Sequence, residues 1–184
     1  MEVKNRIQFS PMVSSLSTPT GGVSQELLGY IKYQAQSGVG VITIGSTPID
    51  HINGVDFFGA LDVTSDDNMT DLRRISEVVH RYGAKVSCEL VHAGRSAPKQ
   101  FRPHSPAIAP SAIPVENGPT DIREMDEKDM ETIRKEYCDV AERLMKSGFD
   151  MVMVHAAHGN LLAQFMSPKY NQRTDEYGGS FENR

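Results

Sequence analysis

The feature that most constrains this chain is the run Val39-Gly-Val-Ile-Thr-Ile44, which is apolar almost throughout. A strand with one wet face alternates apolar and polar residues. A run without that alternation reads as a parallel strand covered on both faces, and residues 39–44 are read so. Parallel strands need long crossovers, and the chain supplies helices of the right length on either side. Ser24 stands as an N-cap before residues 25–37, where Leu27, Leu28, Ile31 and Ala35 recur at helical spacing until Gly38. The cycle then repeats. Residues 67–82 read as a helix with Leu72, Ile75, Val78 and Val79 on one face and Gly83 as its stop, followed by a strand over 84–91. After a Pro- and Ser-rich loop over 95–125, Asp126 caps a helix that runs through Met145. A strand over 149–155 and a short helix, Leu161–Met166, follow. With residues 6–12 as an opening strand, four strand–helix units result, the mark of an α/β fold with a parallel sheet.

A doubly wound sheet and a TIM barrel both begin this way. His92, His155, His158 and the 95–125 loop all follow the C-terminal ends of strands, where a barrel builds its site. A doubly wound sheet would place them similarly at its switch point. No G-x-G-x-x-G or G-x-x-x-x-G-K-[ST] follows any strand, which removes the usual dinucleotide fingerprint and the P-loop. With 19 basic and 24 acidic residues the net charge is −5, so no basic footprint for nucleic acid is present. No apolar run is long enough to span a membrane, and the N-terminus lacks a secretory stretch. Two cysteines, Cys88 and Cys138, are too few for a disulfide framework, an iron–sulfur cluster or a four-cysteine zinc site. A cytoplasmic setting is expected.

The residues richest in chemistry lie in Gly148-Phe-Asp-Met-Val-Met-Val-His155-Ala-Ala-His158-Gly159-Asn160. Strand periodicity puts Met151, Met153 and His155 on one face, inward in a barrel, with His158 in the turn that follows. Two imidazoles at a strand mouth can donate hydrogen bonds to a carbonyl, a phenolate or an anion, or can bind a metal. Alternatively, one caps the helix and the other is satisfied in packing. A zinc site needs a third ligand, and none stands at recognisable spacing. Glu89 falls in step with Ser87 and Val91, so a carboxylate points into the barrel or, in the other register, outward. Cys88 has the opposite parity and reads as core filler, as do Met12, Met151 and Met153.

Five motifs carry a resemblance: Lys4-Asn-Arg-Ile-Gln-Phe-Ser-Pro-Met12, His92-Ala-Gly-Arg95, Ala109-Pro-Ser-Ala-Ile113, His155-Ala-Ala-His-Gly159 and Ser167-Pro-Lys-Tyr-Asn-Gln-Arg-Thr-Asp-Glu-Tyr-Gly-Gly-Ser-Phe-Glu-Asn-Arg184. In this order, from Val3 to the end, the chain resembles the old yellow enzyme family. Its branch resembles the bacterial NADH:flavin oxidoreductases, enoate reductases and 2,4-dienoyl-CoA reductases. The resemblance implies a TIM barrel with FMN at its C-terminal mouth, NADH or NADPH as reductant, and a small-molecule substrate with an activated alkene. It implies that His155 and His158 bind the substrate carbonyl oxygen, where preorganised donors contribute about 2.7–4 kcal/mol each. It also implies that Pro11, Met12 and Val13 lie against the flavin, that Ser46 contacts it, and that Glu89 takes the place of a glutamine bonded to the flavin ring.

The chain departs from the pattern in four respects. Asn160 stands where the family's tyrosine donates a proton, and an amide is no useful acid near neutrality. An ionised Glu89 cannot donate to the ring and would repel the reduced, anionic flavin by roughly 4 kcal/mol at about 4 Å and an effective dielectric of about 20. Val13 stands where relatives often carry Thr or Cys. A TIM barrel typically takes about 250 residues, so residues 1–184 are expected to be the truncated N-terminal half of one FMN-binding barrel domain, clipped also at its start. Such a fragment is expected to be inactive alone. The resemblance leaves room for an iron–sulfur cluster in the C-terminal part of the parent, and for an oligomer. Two rival readings stand beside it: a non-catalytic half-barrel that pairs its open edges with a second copy, and a metal-dependent hydrolase using His155 and His158.

Overall fold

A computed structural model describes residues 1–184. In chain order the elements are β1 (Gln8–Phe9), α1 (Gln25–Gln36), β2 (Val41–Pro48), α2 (Met69–Arg81), β3 (Lys85–Val91), β4 (Ala107–Ala109), β5 (Ile122–Glu124), α3 (Glu127–Lys146), β6 (Met151–Val154) and α4 (Leu161–Met166). The main sheet has the order β1-β2-β3-β6. Gln8 pairs with Val41 in parallel, and Ser87 through Leu90 pair in parallel with Met151 through Val154. Each strand thus lies beside its predecessor and always on the same side. A doubly wound sheet must reverse direction at a switch point, and this one does not; sequential winding is the barrel pattern.

The strand boundaries moved from those read in the sequence. The first strand shrinks to Gln8–Phe9, and Met12 instead makes an isolated antiparallel bridge with Gly45. Pro11 explains the break, because it has no N–H for the ladder. β2 runs four residues beyond Ile44, to Pro48, and so takes in Ser46. The loop over 95–125 is not featureless: it holds two 3₁₀ turns and the parallel pair β4–β5. No helix is long and apolar enough to cross a membrane.

Two compact units are present. The first comprises Met1–Ile49, Phe57–Leu90 and Tyr137–Val154. Its core is aliphatic: Ile31, Ile42, Leu72, Ile75, Val79, Val86, Leu90 and Leu144 are almost wholly buried. The helix signals worked as physics predicts. Ser24 accepts the Leu27 N–H at 2.9 Å, and Gly38, Gly83 and Gly148 take left-handed backbone where the helices end. Asp150 ties three elements at the start of β6. Its carboxylate accepts the Val86 N–H at 2.9 Å, the Lys85 ammonium at 2.9 Å, and a contact from His80 of α2 at 2.7 Å. β6 is an edge strand: Met151, Val152 and Met153 are half-buried, and Val154 is 53% exposed.

The second unit comprises Asp50–Asp56, Val91–Glu136 and His155–Arg184. Its interior is different in kind. Small side chains (Ala93, Ala97, Ala107, Ala109) surround buried polar ones (His92, Arg102, Gln164). Arg102 carries the 95–125 segment: its guanidinium donates to the carbonyls of Ala97 (2.7 Å) and Ser105 (2.8 Å) and to both oxygens of Asp121 (2.8 and 3.0 Å). The Arg102 hydrogen bonds, then that of Lys99, hold the Asp121 carboxyl well below the usual carboxylate range.

Two outcomes are expected in denaturant titrations. Burial pushes the Asp150 carboxyl up, but the His80, Lys85 and Val86 hydrogen bonds outweigh it and hold the carboxyl below its ordinary value. Its contribution to stability is therefore complete above the unfolded value of about 3.9 and is lost as pH falls through the lower folded value. Asp150→Ala should cost about 1–3 kcal/mol at neutral pH and flatten that acid slope. Arg102→Lys keeps the charge but loses the fork, and should cost a similar amount, about 1–3 kcal/mol.

Candidate active site

In the first unit the expected cofactor residues gather around one glycine. The Met12–Gly45 bridge lays the Pro11–Val13 segment along the end of β2, and the Gly45–Ser46 peptide there is cis. A Cβ built on Gly45 would lie 2.8 Å from the Glu89 Cβ and 2.9 Å from both Glu89 Oε2 and the Pro11 Cβ. Only glycine lets the three segments close to this distance. Pro11, Gly45 and Glu89 are thus brought together, with Ser46 next along β2. Glu89 is 6% exposed and so is inside, as the inward register required.

Met12 departs from the sequence reading: it is not core filler but 57% exposed, and Val13 beside it is 50% exposed. Pro11 ends the strand too early for either side chain to be carried into the sheet. This cluster fits a flavin in its chemistry. Exposed apolar surface at Met12 and Val13 suits the flat apolar face of the ring. A hydroxyl at Ser46 and a carboxyl at Glu89 suit its polar edge. A cavity of about 20 Å³ beside Ser46, lined by Ser14, Ser17 and Thr47 among others, has room for a water only. Cys88 is inert: burial first, with a smaller push from Glu89, raises its thiol to about 12 against the opposing Thr47 hydrogen bond.

In the second unit His155 opens the turn after β6 and is 9% exposed; His158 is exposed. Their ring centroids are 5.1 Å apart with the planes tilted by 40°. His158 has φ +54°, a left-handed conformation that costs a non-glycine residue roughly 1–2 kcal/mol. Neither histidine caps α4. Asn160 holds the N-cap position, without a side-chain capping bond. Gln164 clamps the turn. Its amide nitrogen donates to the carbonyls of Gly159 (2.7 Å) and Ala93 (3.0 Å), and its oxygen accepts the Arg95 N–H at 3.1 Å. Gly94, at φ +59°, leaves room for that clamp; a Cβ there would sit 2.8 Å from Gln164 Nε2. Arg95 is buried, donates to the Pro114 carbonyl at 2.5 Å, and lies 4.2 Å from the centre of the Tyr170 ring. His92 is buried and neutral at ordinary pH. Burial lowers it to about 4 against the opposing charge of Asp50, and its Nδ1 accepts the Gly94 N–H at 3.0 Å. No group of three or more His, Cys, Asp or Glu is placed to hold a metal ion.

Gly45 and Gln164 did not stand out in the sequence. Gly45 follows an apolar run and could have been suspected of a close backbone approach. Gln164 lies on a helix seventy-one residues from its Ala93 partner, and no local signal marks it.

The whole chain, residues 1–184, matches the model of the NADH:flavin oxidoreductase / NADH oxidase family. The "NADH oxidase" of Thermoanaerobacter brockii is 37% identical over 99% of this chain and 28% of its own length. The "NADPH dehydrogenase" of Geobacillus sp. (strain WCH70) is 36% identical over 99% of this chain and 52% of its own. Among solved structures, the old yellow enzyme from Pichia sp. AKU4542 superposes with a TM-score of 0.91 and 32% identity, over all of this chain and 50% of that one. Morphinone reductase superposes with a TM-score of 0.87 and 28% identity over 98% of this chain and 52% of that one. The chain spans about half, or less, of the length of these relatives. Sequential parallel winding, the motifs in order and these likenesses together show that the chain belongs to the NADH:flavin oxidoreductase / NADH oxidase family and carries about the first four βα units of the old yellow enzyme barrel.

Proposed function

We propose that a protein carrying this chain, together with the remaining length of its relatives, uses FMN and NADH or NADPH to reduce activated C=C bonds of small enones, enoates or dienoyl-type substrates. The observation that carries this reading is the histidine pair, His155 and His158, set 5.1 Å apart in the turn after β6 and locked by Gln164. When bound, FMN supplies hydride transfer from the nicotinamide to the β-carbon of the alkene. The chain's own residues do the rest. Pro11, Met12 and Val13 offer the apolar surface for the ring. Ser46 can donate to its polar edge, and Glu89 can accept from it.

His155 and His158 donate to the substrate carbonyl oxygen. That contact polarises the alkene and then stabilises the negative charge that develops on oxygen. Two donors fixed in place beforehand cost no reorganisation as the charge forms. Asn160 cannot protonate the α-carbon, so the proton comes from solvent or another group.

The test is an anaerobic flavin assay. NADH or NADPH should bleach the flavin band, and an α,β-unsaturated ketone should restore it. His155→Ala and His158→Ala should each leave bleaching intact and slow restoration by about 10²–10³-fold; restoration at the parent rate would sink the histidine assignment. Glu89→Gln should raise the flavin reduction potential, because it removes a carboxylate that opposes the reduced, anionic form. An unchanged potential would mean that the Glu89 carboxylate does not face the ring.

A further inference from the structure

The chain holds two Asn-Gly pairs, Asn53-Gly54 and Asn117-Gly118, and the reaction proposed above uses neither. Glycine has no Cβ to shield its backbone nitrogen, so after an asparagine that nitrogen can attack the side-chain amide. The glycine nitrogen bonds to the asparagine Cγ, the Cγ–Nδ2 bond breaks, and the amide group leaves as ammonia with the proton from the peptide nitrogen. Water then opens the cyclic imide at either carbonyl and leaves an aspartate or a β-aspartyl link. No oxidant or reductant is needed. The asparagine side chain has only to be free to turn toward the glycine, with water at hand.

The fold treats the two pairs oppositely. The Asn53 side chain is held at both ends: its Nδ2 donates to Asp50 Oδ2 at 3.1 Å and its Oδ1 accepts the Ser105 hydroxyl at 2.6 Å. Its backbone N–H also donates to Asp50 Oδ1, at 3.0 Å. Gly54 is buried, and a Cβ built there would lie 2.8 Å from His92 Cδ2. Asn117, at φ +57°, stands at the tip of a turn in which the Val115 N–H donates to the Pro119 carbonyl at 3.0 Å. Glu116, Asn117 and Gly118 are all exposed, and the Asn117 side chain makes no hydrogen bond. The glycine N–H does not discriminate between the pairs: Gly54 donates to the Asp50 carbonyl and Gly118 to the Val115 carbonyl, each at 3.1 Å. The difference lies in the side chains.

We propose that Asn117 is a site of spontaneous deamidation in the folded protein, and that Asp50 and Ser105 protect Asn53 from the same reaction. Two side-chain hydrogen bonds must break before Asn53 can turn, and none at Asn117. At the net worth of ordinary hydrogen bonds, Asn53 converts about 10–100-fold more slowly. The product sets a new carboxylate beside Glu116. A β-aspartyl link also adds a methylene to the backbone between the two ends of the Val115–Pro119 turn. That turn follows directly on Pro114, whose carbonyl takes the Arg95 guanidinium, so the change falls in the loop that Arg95 anchors. None of this rests on the ene-reduction reading.

The chain itself is incubated at mildly alkaline pH, in plain buffer and in concentrated guanidinium chloride. Tryptic peptides are then followed by mass spectrometry, with the β-aspartyl form separated by chromatography. In denaturant both asparagines should convert at similar rates. In buffer Asn117 should convert and Asn53 should lag by the stated factor. Asp50→Ala should bring Asn53 toward its rate in denaturant and leave Asn117 unchanged. Ser105→Ala, which frees only the Asn53 oxygen, decides the matter if Asp50→Ala does not fold. Equal rates at the two sites in buffer would overturn the proposal. So would an Asn117 that converts in denaturant but persists in buffer, or an Asn53 rate that a folded variant fails to raise.

Discussion

The register of β6 against β3 depends on Asp150. A strand at the edge of a sheet has one neighbour, and a slip of one residue would exchange its two faces. Asp150 prevents the slip by joining the Val86 N–H, Lys85 and His80 through one carboxylate, while its own N–H meets the Val86 carbonyl at 2.9 Å. From that anchor Met151 falls opposite Ser87 and Met153 opposite Glu89. The inward carboxylate and the face of β6 follow from a contact at the far end of the strand from the turn.

The two units achieve order by different means. In the first, aliphatic side chains from α1, α2 and the strands fill the interior, and burial of apolar area dominates. In the second, the segments are short and irregular, and alanines leave little apolar area to bury. Its loops are held by Arg102, Gln164 and Asn171, each bonded to several backbone carbonyls or carboxylates. Such bonds are worth less than a core in bulk but more in geometry, because each donor has one direction. A turn that must hold two histidines in fixed relation is better served by them.

Much of this was legible in the sequence. α1 and α4 matched the helical spacing closely, Ser24 capped where its position said it would, and the glycine stops fell where the periodicity ended. The motifs around His92, His155 and the C-terminal run pointed to the family. The first strand was read too long, because apolar content was counted without giving enough weight to the missing N–H of Pro11. Met12 reads as core only by the default for a methionine and, by resemblance, as lying against the flavin; its side chain is in fact exposed. The polar network of the 95–125 loop was not legible, since Arg102 and Asp121 are separated by nineteen residues with no pattern between them.

By itself, then, the sequence determined the α/β class, the strand-and-helix succession and the family. Those follow from local periodicity, capping chemistry and contiguous motifs, all of which act over a few residues. Only the tertiary structure decided the sequential strand order over a reversing one, the inward place of Glu89, the exposure of Met12 and Val13, and the clamp of Gln164. These rest on contacts between segments tens of residues apart. Their free energy depends on which backbone groups burial leaves in need of a partner, and that is set only when the chain has closed on itself.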